Sequence, residues 1–382
     1  MVQFLFGLIS FGVLSAFFYF VCRFLRRYEK RGFVVEILVS VVIVQIFKWA
    51  FIDITRVPSS SMEKTLIPGD FVLVSKLHYG VRTPSTLLQI PLTHQTTKFL
   101  ELKSYLDWLE IPCFRFPGFT TIKTNDVVVF NTPSENDIPM DVRRFFVKRA
   151  IGLPGQRIKM INGRYYVNNK KIQDPPLKIY EFVLKTSDKL HKSWFKKYNI
   201  TEYEYFYKNS AGMHLYIVKI LAKYDIDKTV EDIKNDAYTQ SIMLKRQSDQ
   251  GTFVAKFDGY IDIVNWGGTD GILVPKRGLK IGLNRSNIDM YWNYMKSEMN
   301  KSIERKNGYE IYLNGKVITD YTFLHDYYFM IGDNIYDSCD SRYWGFVRDD
   351  EIYAKPLFTI LSKSQDSLLG GLKFRFLKGM WD

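Results

Sequence analysis

The first 22 residues constrain the fold of this chain more than any other segment. Residues 2–22 contain no charged side chain, and about 20 apolar residues are enough for a helix to cross a bilayer. A cleaved secretory leader would carry basic residues before its apolar run and a small-residue cleavage site after it. Here the basic residues follow the run, within 23–31. We therefore predict a transmembrane helix over 1–22 and a basic cytoplasmic loop over 23–32.

A second apolar stretch covers residues 33–52. Its charged residues, Glu36 and Lys48, lie near its two ends, where long side chains can reach the membrane interface. We predict a second transmembrane helix over 33–52, with a buried helix of a soluble domain as the alternative. If the segment spans the bilayer, everything after about Asp53 lies outside the cytoplasm.

The remaining residues have the composition of a folded domain rich in strands. Apolar residues make up 46% of the chain and aromatic residues 16%, and aromatic and β-branched side chains favour strands. The net charge of +13 is spread over many lysines without a recognisable nucleic-acid module. We expect no nucleic-acid partner. The cysteines and histidines have no zinc-site spacing, so we expect no metal. We also expect no organic cofactor. Cys113 and Cys339 could pair or remain free.

Apolar runs and turn signals outline the predicted domain. We predict strands over 71–74, 126–130 and 145–151. Residues 372–378 alternate apolar and basic side chains, which favours a further strand, with a membrane-surface contact as the alternative. Two Asn-Gly pairs, at 162–163 and 314–315, predict hairpins. Helices are predicted near 185–197 and 227–247.

The domain is predicted to be interrupted by an insertion. Residues 53–162 and 328–382 form the two parts of a mainly β catalytic domain. Residues 163–327 form an inserted, more variable α+β subdomain, because much of this region is richer in Lys, Asp and Asn.

A serine nucleophile and two candidate bases can be read from the sequence. Ser61 lies in a Pro-Ser-Ser-Ser-Met run shortly after the second apolar stretch, and a serine hydroxyl needs a base to take its proton. His78 is the nearest histidine and would suit a triad. Lys148 lies in an apolar run close to several arginines, where burial and positive charge would lower its pKa enough for it to act as the base.

Three runs together resemble the motifs of bacterial type I signal peptidases, membrane proteases with a Ser-Lys dyad. Residues 58–70 match Pro-Ser-x-Ser-Met-x-x-Thr-Leu-x-x-Gly-Asp, with Ser60 and Lys64 where many relatives have Gly and Pro. Residues 146–155 match the aromatic-x-Lys-Arg-x-x-Gly-x-Pro-Gly motif. Residues 332–345 match Gly-Asp-Asn…Ser-x-Asp-Ser-Arg-Tyr-Trp-Gly.

The resemblance implies a role for each matching residue. Ser61 would attack the scissile carbonyl and form an acyl-enzyme, with Lys148 as general base in both half-reactions. The Ser61 N–H and the Ser59 hydroxyl would form the oxyanion hole, and Ser338 would orient Lys148. Ion pairs among four residues would hold the loop of the site: Asp333, Asp340, Arg149 and Arg342. Four residues would contact an extended substrate strand: Val57, Pro58, Phe146 and Val147.

The same resemblance implies a substrate and a location. The substrates would be signal peptides of exported preproteins, at the periplasmic face of a bacterial cytoplasmic membrane, with the lipid bilayer as the other partner and no obligate protein partner. A soluble self-cleaving Ser-Lys repressor is disfavoured by the two predicted spans. An inactive membrane scaffold is disfavoured by the presence of Ser61 and Lys148. Endoplasmic-reticulum relatives have His at the position of Lys148, which favours the bacterial or organellar branch.

Overall fold

The structure is a computed structural model that describes residues 51–86, 113–133, 135, 138–200, 202–208, 212–244, 269–299, 302–362 and 375–376. The first predicted span, the predicted cytoplasmic loop and nearly all of the second predicted span lie outside these residues. Within these ranges, no helix has the length and apolarity needed to cross a bilayer. Ile52, the last residue of the second predicted span, begins the first strand.

The described residues form a mainly β structure, as predicted. The strands are, in chain order, β1 (Ile52–Arg56), β2 (Phe71–Ser75), β3 (Val127–Asn131), β4 (Phe145–Gly152), β5 (Arg157–Ile161), β6 (Arg164–Val167), β7 (Lys170–Lys171), β8 (Ile179–Thr186), β9 (Glu202–Lys208), β10 (His214–Leu221), β11 (Thr239–Leu244), β12 (Ile272–Leu273), β13 (Lys280–Gly282), β14 (Ile303–Lys306), β15 (Glu310–Leu313), β16 (Lys316–Ile318), β17 (Asp320–Thr322), β18 (Tyr327–Ile331), β19 (Val347–Arg348), β20 (Ile352–Leu361) and β21 (Arg375–Phe376). The α-helices are α1 (Lys192–Lys197), α2 (Ile226–Lys234), α3 (Ile288–Met299) and α4 (Ser341–Trp344). Short 3-10 helices cover Ser60–Met62, Met140–Val142 and Asp349–Glu351.

The largest sheet has the strand order β1-β2-β20-β3-β4-β18-β19, and β21 pairs with β20. Its strand pairs are antiparallel. The predicted strands at 71–74, 126–130 and 145–151 are β2, β3 and β4. Successive residues of β3 enter opposite cores: Val127 and Val129 join one buried cluster, and Val128 and Phe130 join another. This sheet is therefore covered on both faces around β3 and β4.

Both hairpin predictions are confirmed. Asn162 and Gly163 link β5 to β6, and Asn314 and Gly315 link β15 to β16. All four have positive φ, between 49° and 77°, which a tight two-residue hairpin turn requires and which Asn and Gly adopt most readily.

The predicted insert contributes to two separate cores. The sheet β11-β8-β10-β9 packs one face against α1 and α2, with Phe195 and Ile233 deeply buried between them. The later part of the insert packs on the hairpin β5–β6 and on β18, around Met295, Tyr165 and Phe329. The β5–β6 hairpin itself crosses the predicted boundary at residue 163.

Both helix predictions in the insert were too long. The first helix begins at Lys192, because Lys185 and Thr186 are still paired with β10 at the end of β8. The second ends at Lys234, and residues 239–244 instead form β11 against β8. Strand pairing across the sheet overrides the local helical pattern at both ends.

Two smaller expectations concern the cysteines and the C-terminal residues. Cys113 and Cys339 are free thiols, so the two do not pair. Of the strand predicted at 372–378, residues Arg375 and Phe376 pair with β20.

Candidate active site

Ser61 lies in a short helix that closes the turn between β1 and β2. Two backbone hydrogen bonds close the two ends of the turn. The Val57 N–H donates to the Asp70 carbonyl at 2.9 Å, and the Gly69 N–H donates to the Val57 carbonyl at 2.8 Å. Met62 and Leu66 are buried in the core beneath it. The nucleophile segment is thus fixed on both sides of Ser61.

Lys148 reaches Ser61 from the centre of the main sheet. On β4 it pairs with Val128 of β3, and its buried Nζ donates a hydrogen bond to Ser61 Oγ. The ammonium also lies 5.6 Å from the ring centre of Phe146. Burial lowers the pKa of Lys148 to about 8. Arg342 acts in the same direction, against the opposing attraction of Asp340 and other groups. A fraction of Lys148 is therefore neutral near pH 7 and can accept a proton.

Ser59 places a second hydroxyl beside the nucleophile. Its backbone is extended, and its Oγ lies 3.2 Å from Ser61 Oγ. The other candidate base, His78, has its Nδ1 2.8 Å from the hydroxyl of Ser75. The structure therefore places Lys148 beside Ser61, whereas the hydroxyl next to His78 Nδ1 is that of Ser75 in β2.

The loop after β18 packs directly against the nucleophile. Asn334 donates its backbone N–H to the Ser61 carbonyl at 3.0 Å. A Cβ at Gly332 would lie 2.3 Å from Ser338 Oγ and 2.5 Å from the Ser61 carbonyl oxygen. Only glycine fits between these two groups.

Asp340 organises this loop from inside. Its carboxylate accepts two bonds from the Arg342 guanidinium, at 2.8 and 2.7 Å, and one from the Arg342 backbone N–H at 3.2 Å. It also accepts one from the Ser338 hydroxyl at 2.7 Å and one from the Gly332 N–H at 3.1 Å. Burial raises the pKa of Asp340, but Arg342 and the other donors outweigh this and hold it below its usual value. The Ser338 hydroxyl thus donates to Asp340, and its orientation of Lys148 stays a prediction.

A second buried ion pair joins the loop to β4. Arg149 donates from Nε and Nη2 to both oxygens of Asp333, at 2.7 and 2.6 Å. The Thr65 hydroxyl donates to the same carboxylate at 2.5 Å, and Arg149 Nη1 donates to the Asn125 carbonyl at 2.6 Å. Asp333 therefore connects β4, which carries Lys148 and Arg149, with the loop after β18 and with Thr65, which follows Ser61.

The four predicted substrate residues flank the dyad. Val57 and Val147 are buried in one cluster, Pro58 is exposed, and the Phe146 ring stacks 6.4 Å from that of Trp344. Among the described residues, β3 pairs along 145–149 on one side of β4, whereas β18 pairs with 149–152 on the other side.

Sequence reasoning missed several residues around the nucleophile. Glu63 and Lys64 make ion pairs with Lys219 and Glu202 of the insert, and Asn334 Nδ2 donates to Glu63 at 3.2 Å. The residues on β9 and β10 carry no motif, so no signal in the sequence pointed to them.

Comparison with known proteins places these features in a family. The family described as "Signal peptidase, peptidase S26" matches residues 30–211 and 277–361. The chain is 25% identical over 338 residues to signal peptidase I of Buchnera aphidicola subsp. Baizongia pistaciae, covering 87% of this chain and 78% of the relative. It is 25% identical over 300 residues to signal peptidase I of Buchnera aphidicola subsp. Schizaphis graminum, covering 78% of this chain and 65% of the relative. A 118-residue match to signal peptidase I of Rickettsia typhi is 32% identical and covers 31% of this chain and 35% of the relative. The chain belongs to the peptidase S26 family of signal peptidases and is a serine peptidase.

Proposed function

We propose that this protein removes N-terminal signal peptides from exported preproteins at a bacterial cytoplasmic membrane, through a Ser61–Lys148 dyad and an acyl-enzyme. The observation that carries the proposal is the hydrogen bond from Lys148 Nζ to Ser61 Oγ inside a buried site. The family match and the relatives named signal peptidase I support the substrate class.

Lys148 serves as the base in both half-reactions. In its neutral form it takes the Ser61 proton as Oγ attacks the scissile carbonyl, and it returns that proton to the departing amine. The peptide N-terminal to the cut stays esterified to Ser61. Lys148 then deprotonates a water, which attacks the ester and releases Ser61 Oγ with its proton restored. The lowered pKa of Lys148 suits both proton transfers near neutral pH.

Ser59 and the backbone of Ser61 stabilise the oxyanion. The carbonyl carbon bonds to Ser61 Oγ in the tetrahedral intermediate, so its oxygen forms within reach of a hydroxyl that lies 3.2 Å from Oγ. The Ser61 N–H lies in the first turn of a helix, where N–H groups lack intrahelical acceptors. Two donors at this position would stabilise charge that develops only in the transition state.

The substrate adds a strand to the open edge of β4. Within the described part of the chain, residues 146–148 pair with β3 on one side, and the pairing of β4 with β18 on the other side begins only at Arg149. An extended peptide can pair with such an edge and place alternate side chains in pockets. Val57 and Val147 offer apolar, compact surroundings, which suit the small residues that precede cleavage sites.

Exposed aromatic side chains support a position at the membrane. Phe114, Phe116 and Phe119 are 60%, 48% and 78% exposed. Phe119 donates its N–H to the Leu77 carbonyl, and Phe51 accepts from the Lys76 N–H. Phe51, itself exposed, is the next-to-last residue of the second predicted span, so these aromatic side chains would contact the lipid surface where that span ends.

Cleavage of a preprotein with an Ala-x-Ala site tests the proposal. The purified full chain is expected to cut after the second Ala, as read by sequencing the new N-terminus, and Ser61→Ala and Lys148→Met are expected to lose the cut. A folded wild-type protein that leaves the preprotein intact would contradict the substrate. Cleavage that survives in Lys148→Met would require another base, with His78 the next to substitute.

A further inference from the structure

The turn after the nucleophile has a backbone conformation that its sequence does not favour. Lys64 has a φ of 71°, in the left-handed region that is sterically unfavourable for residues with a Cβ. Lys64 stands only three residues after Ser61. Something outside the turn must hold this conformation.

A charge network from the insert contacts this turn. Lys64 Nζ pairs with Glu202 Oε1, and Glu202 Oε2 lies 3.3 Å from Lys219 Nζ. Lys219 in turn lies 3.8 Å from Glu63 on the turn and 3.8 Å from Glu181 on β8. Positive and negative side chains therefore alternate along the network, from Lys64 on the turn through Glu202 and Lys219 on the sheet to Glu63 on the turn.

The register of the insert sheet explains why these groups share one face. Lys219 on β10 is directly opposite Glu202 on β9 and Glu181 on β8. Its neighbour Val218 points the other way, into the core with α1 and α2. The charged face of the sheet is therefore the face turned toward the nucleophile segment.

The electrostatics of the network are mutually supportive. Burial lowers the pKa of Lys219, but Glu181, Glu63 and Glu202 raise it above its usual value overall. Burial raises the pKa of Glu202, and Lys64 and Lys219 more than reverse this. The groups are partly exposed, so an isolated pair would contribute little, and the effect depends on their acting as a network.

Lys219 lies between the two segments that match the family, 30–211 and 277–361, whereas Glu202 lies within the first of them.

We propose that Glu202 and Lys219 are positioning residues of the active site, which hold the turn at Glu63 and Lys64 and thereby keep Ser61 Oγ in line with Lys148. The catalytic consequence rests on the proposed function. The ordering of the turn does not.

The test combines hydrogen exchange with cleavage kinetics. The variants are Glu202→Gln, Lys64→Gln and their double, and the control is Glu204→Gln, an exposed carboxylate two residues along β9. Each single variant is expected to speed exchange of the Thr65 and Leu66 amides, which bond to the Met62 carbonyl.

With an Ala-x-Ala peptide, kcat should fall about three- to tenfold at unchanged KM and melting temperature, because a small misplacement of the nucleophile slows chemistry more than binding. Glu204→Gln should match wild type.

The double variant, and Glu202→Gln introduced into Lys64→Gly, distinguish a positioning role from a general effect on stability. The double variant should lose no more than the worse single variant, because the two side chains act through one contact. In Lys64→Gly, where glycine adopts the left-handed conformation freely, adding Glu202→Gln should change exchange and kcat less than it does in the wild-type background. Wild-type exchange in Glu202→Gln, or additive losses in the double variant, would overturn the proposal. If the wild type cleaves nothing, the proposed function fails, while the exchange measurements still decide the positioning role.

Discussion

Lys148 Nζ donates a hydrogen bond to Ser61 Oγ across 87 positions of sequence. Ser61 is brought there by the tied turn between β1 and β2, and Lys148 by the pairing of β4 with β3. The proposed dyad therefore depends on the main sheet for its geometry and on burial for the lowered pKa of Lys148.

Cleavage is expected to depend on the neutral form of Lys148. Its pKa is lowered to about 8, so the neutral fraction rises with pH and saturates above this value. We expect kcat/KM for a short peptide to increase about tenfold per pH unit below pH 8 and to level off above it. A midpoint at or below 6.5 would instead indicate His78, whose pKa burial and Lys355 lower from 6.5.

Replacing Ser59 tests the oxyanion hole. Ser59→Ala removes a hydroxyl 3.2 Å from the nucleophile and is expected to lower kcat about 100- to 1000-fold with little change in KM. Ser60→Ala is the matched control, because the Ser60 hydroxyl donates to Asp337. Equal kinetics of Ser59→Ala and wild type would remove Ser59 from the mechanism.

Gly332→Ala should disrupt the contact between the loop and the nucleophile. The added Cβ would overlap Ser338 Oγ and the Ser61 carbonyl, so the loop must shift. We expect a lower melting temperature and a large loss of kcat. Gly282→Ala, where a Cβ meets nothing within 4 Å, should be close to wild type in both measurements.

The buried pair of Arg149 and Asp333 should matter for stability as well as activity. Arg149→Met leaves the Asp333 carboxylate buried without its bidentate partner, and the free energy of unfolding is expected to fall by about 3–5 kcal/mol in denaturant titrations. Arg144 is exposed and pairs with Glu135. Arg144→Met is therefore expected to lower the free energy of unfolding by less than about 1 kcal/mol. Similar losses in both variants would show that burial of the first pair is unimportant.

Phe119 tests the membrane position. Phe119→Ser is expected to reduce turnover of a preprotein severalfold in lipid vesicles, because the side chain is 78% exposed and would lose its contact with lipid. Turnover of a short peptide in detergent should not change. Phe206→Ser, on the insert sheet and 58% exposed, is the control. Equal losses for Phe119→Ser and Phe206→Ser in vesicles would argue against the membrane contact.

The sequence predicts well the parts of this protein that are set by local pattern. The continuous apolar run at 127–130 and the Asn-Gly turns each describe a conformation that neighbouring residues enforce. The motif runs likewise point to Ser61 and Lys148, which the structure joins by a hydrogen bond, and their catalytic roles stay predictions.

Contacts that depend on strand register could not be predicted. Lys219 acquires its role only because β10 places it opposite Glu202 and above Glu63. The left-handed conformation of Lys64 follows from its surroundings, since lysine does not favour it. The helix predicted over 227–247 ends early, at Lys234, for the same reason, because 239–244 pair with β8.

The contacts of Ser61 and Thr65 with the late loop have a consequence for the timing of synthesis. Asn334 bonds to Ser61, and Asp333 accepts from Thr65 across 268 positions. A nascent chain leaves the ribosome from its N-terminus, so the nucleophile emerges long before the loop that supports it. A chain that stops before residue 332 carries the serine and the lysine in an unfinished site. Proteolytic capacity therefore requires synthesis to continue past residue 334, because shorter chains lack the contacts that hold Ser61 and Thr65.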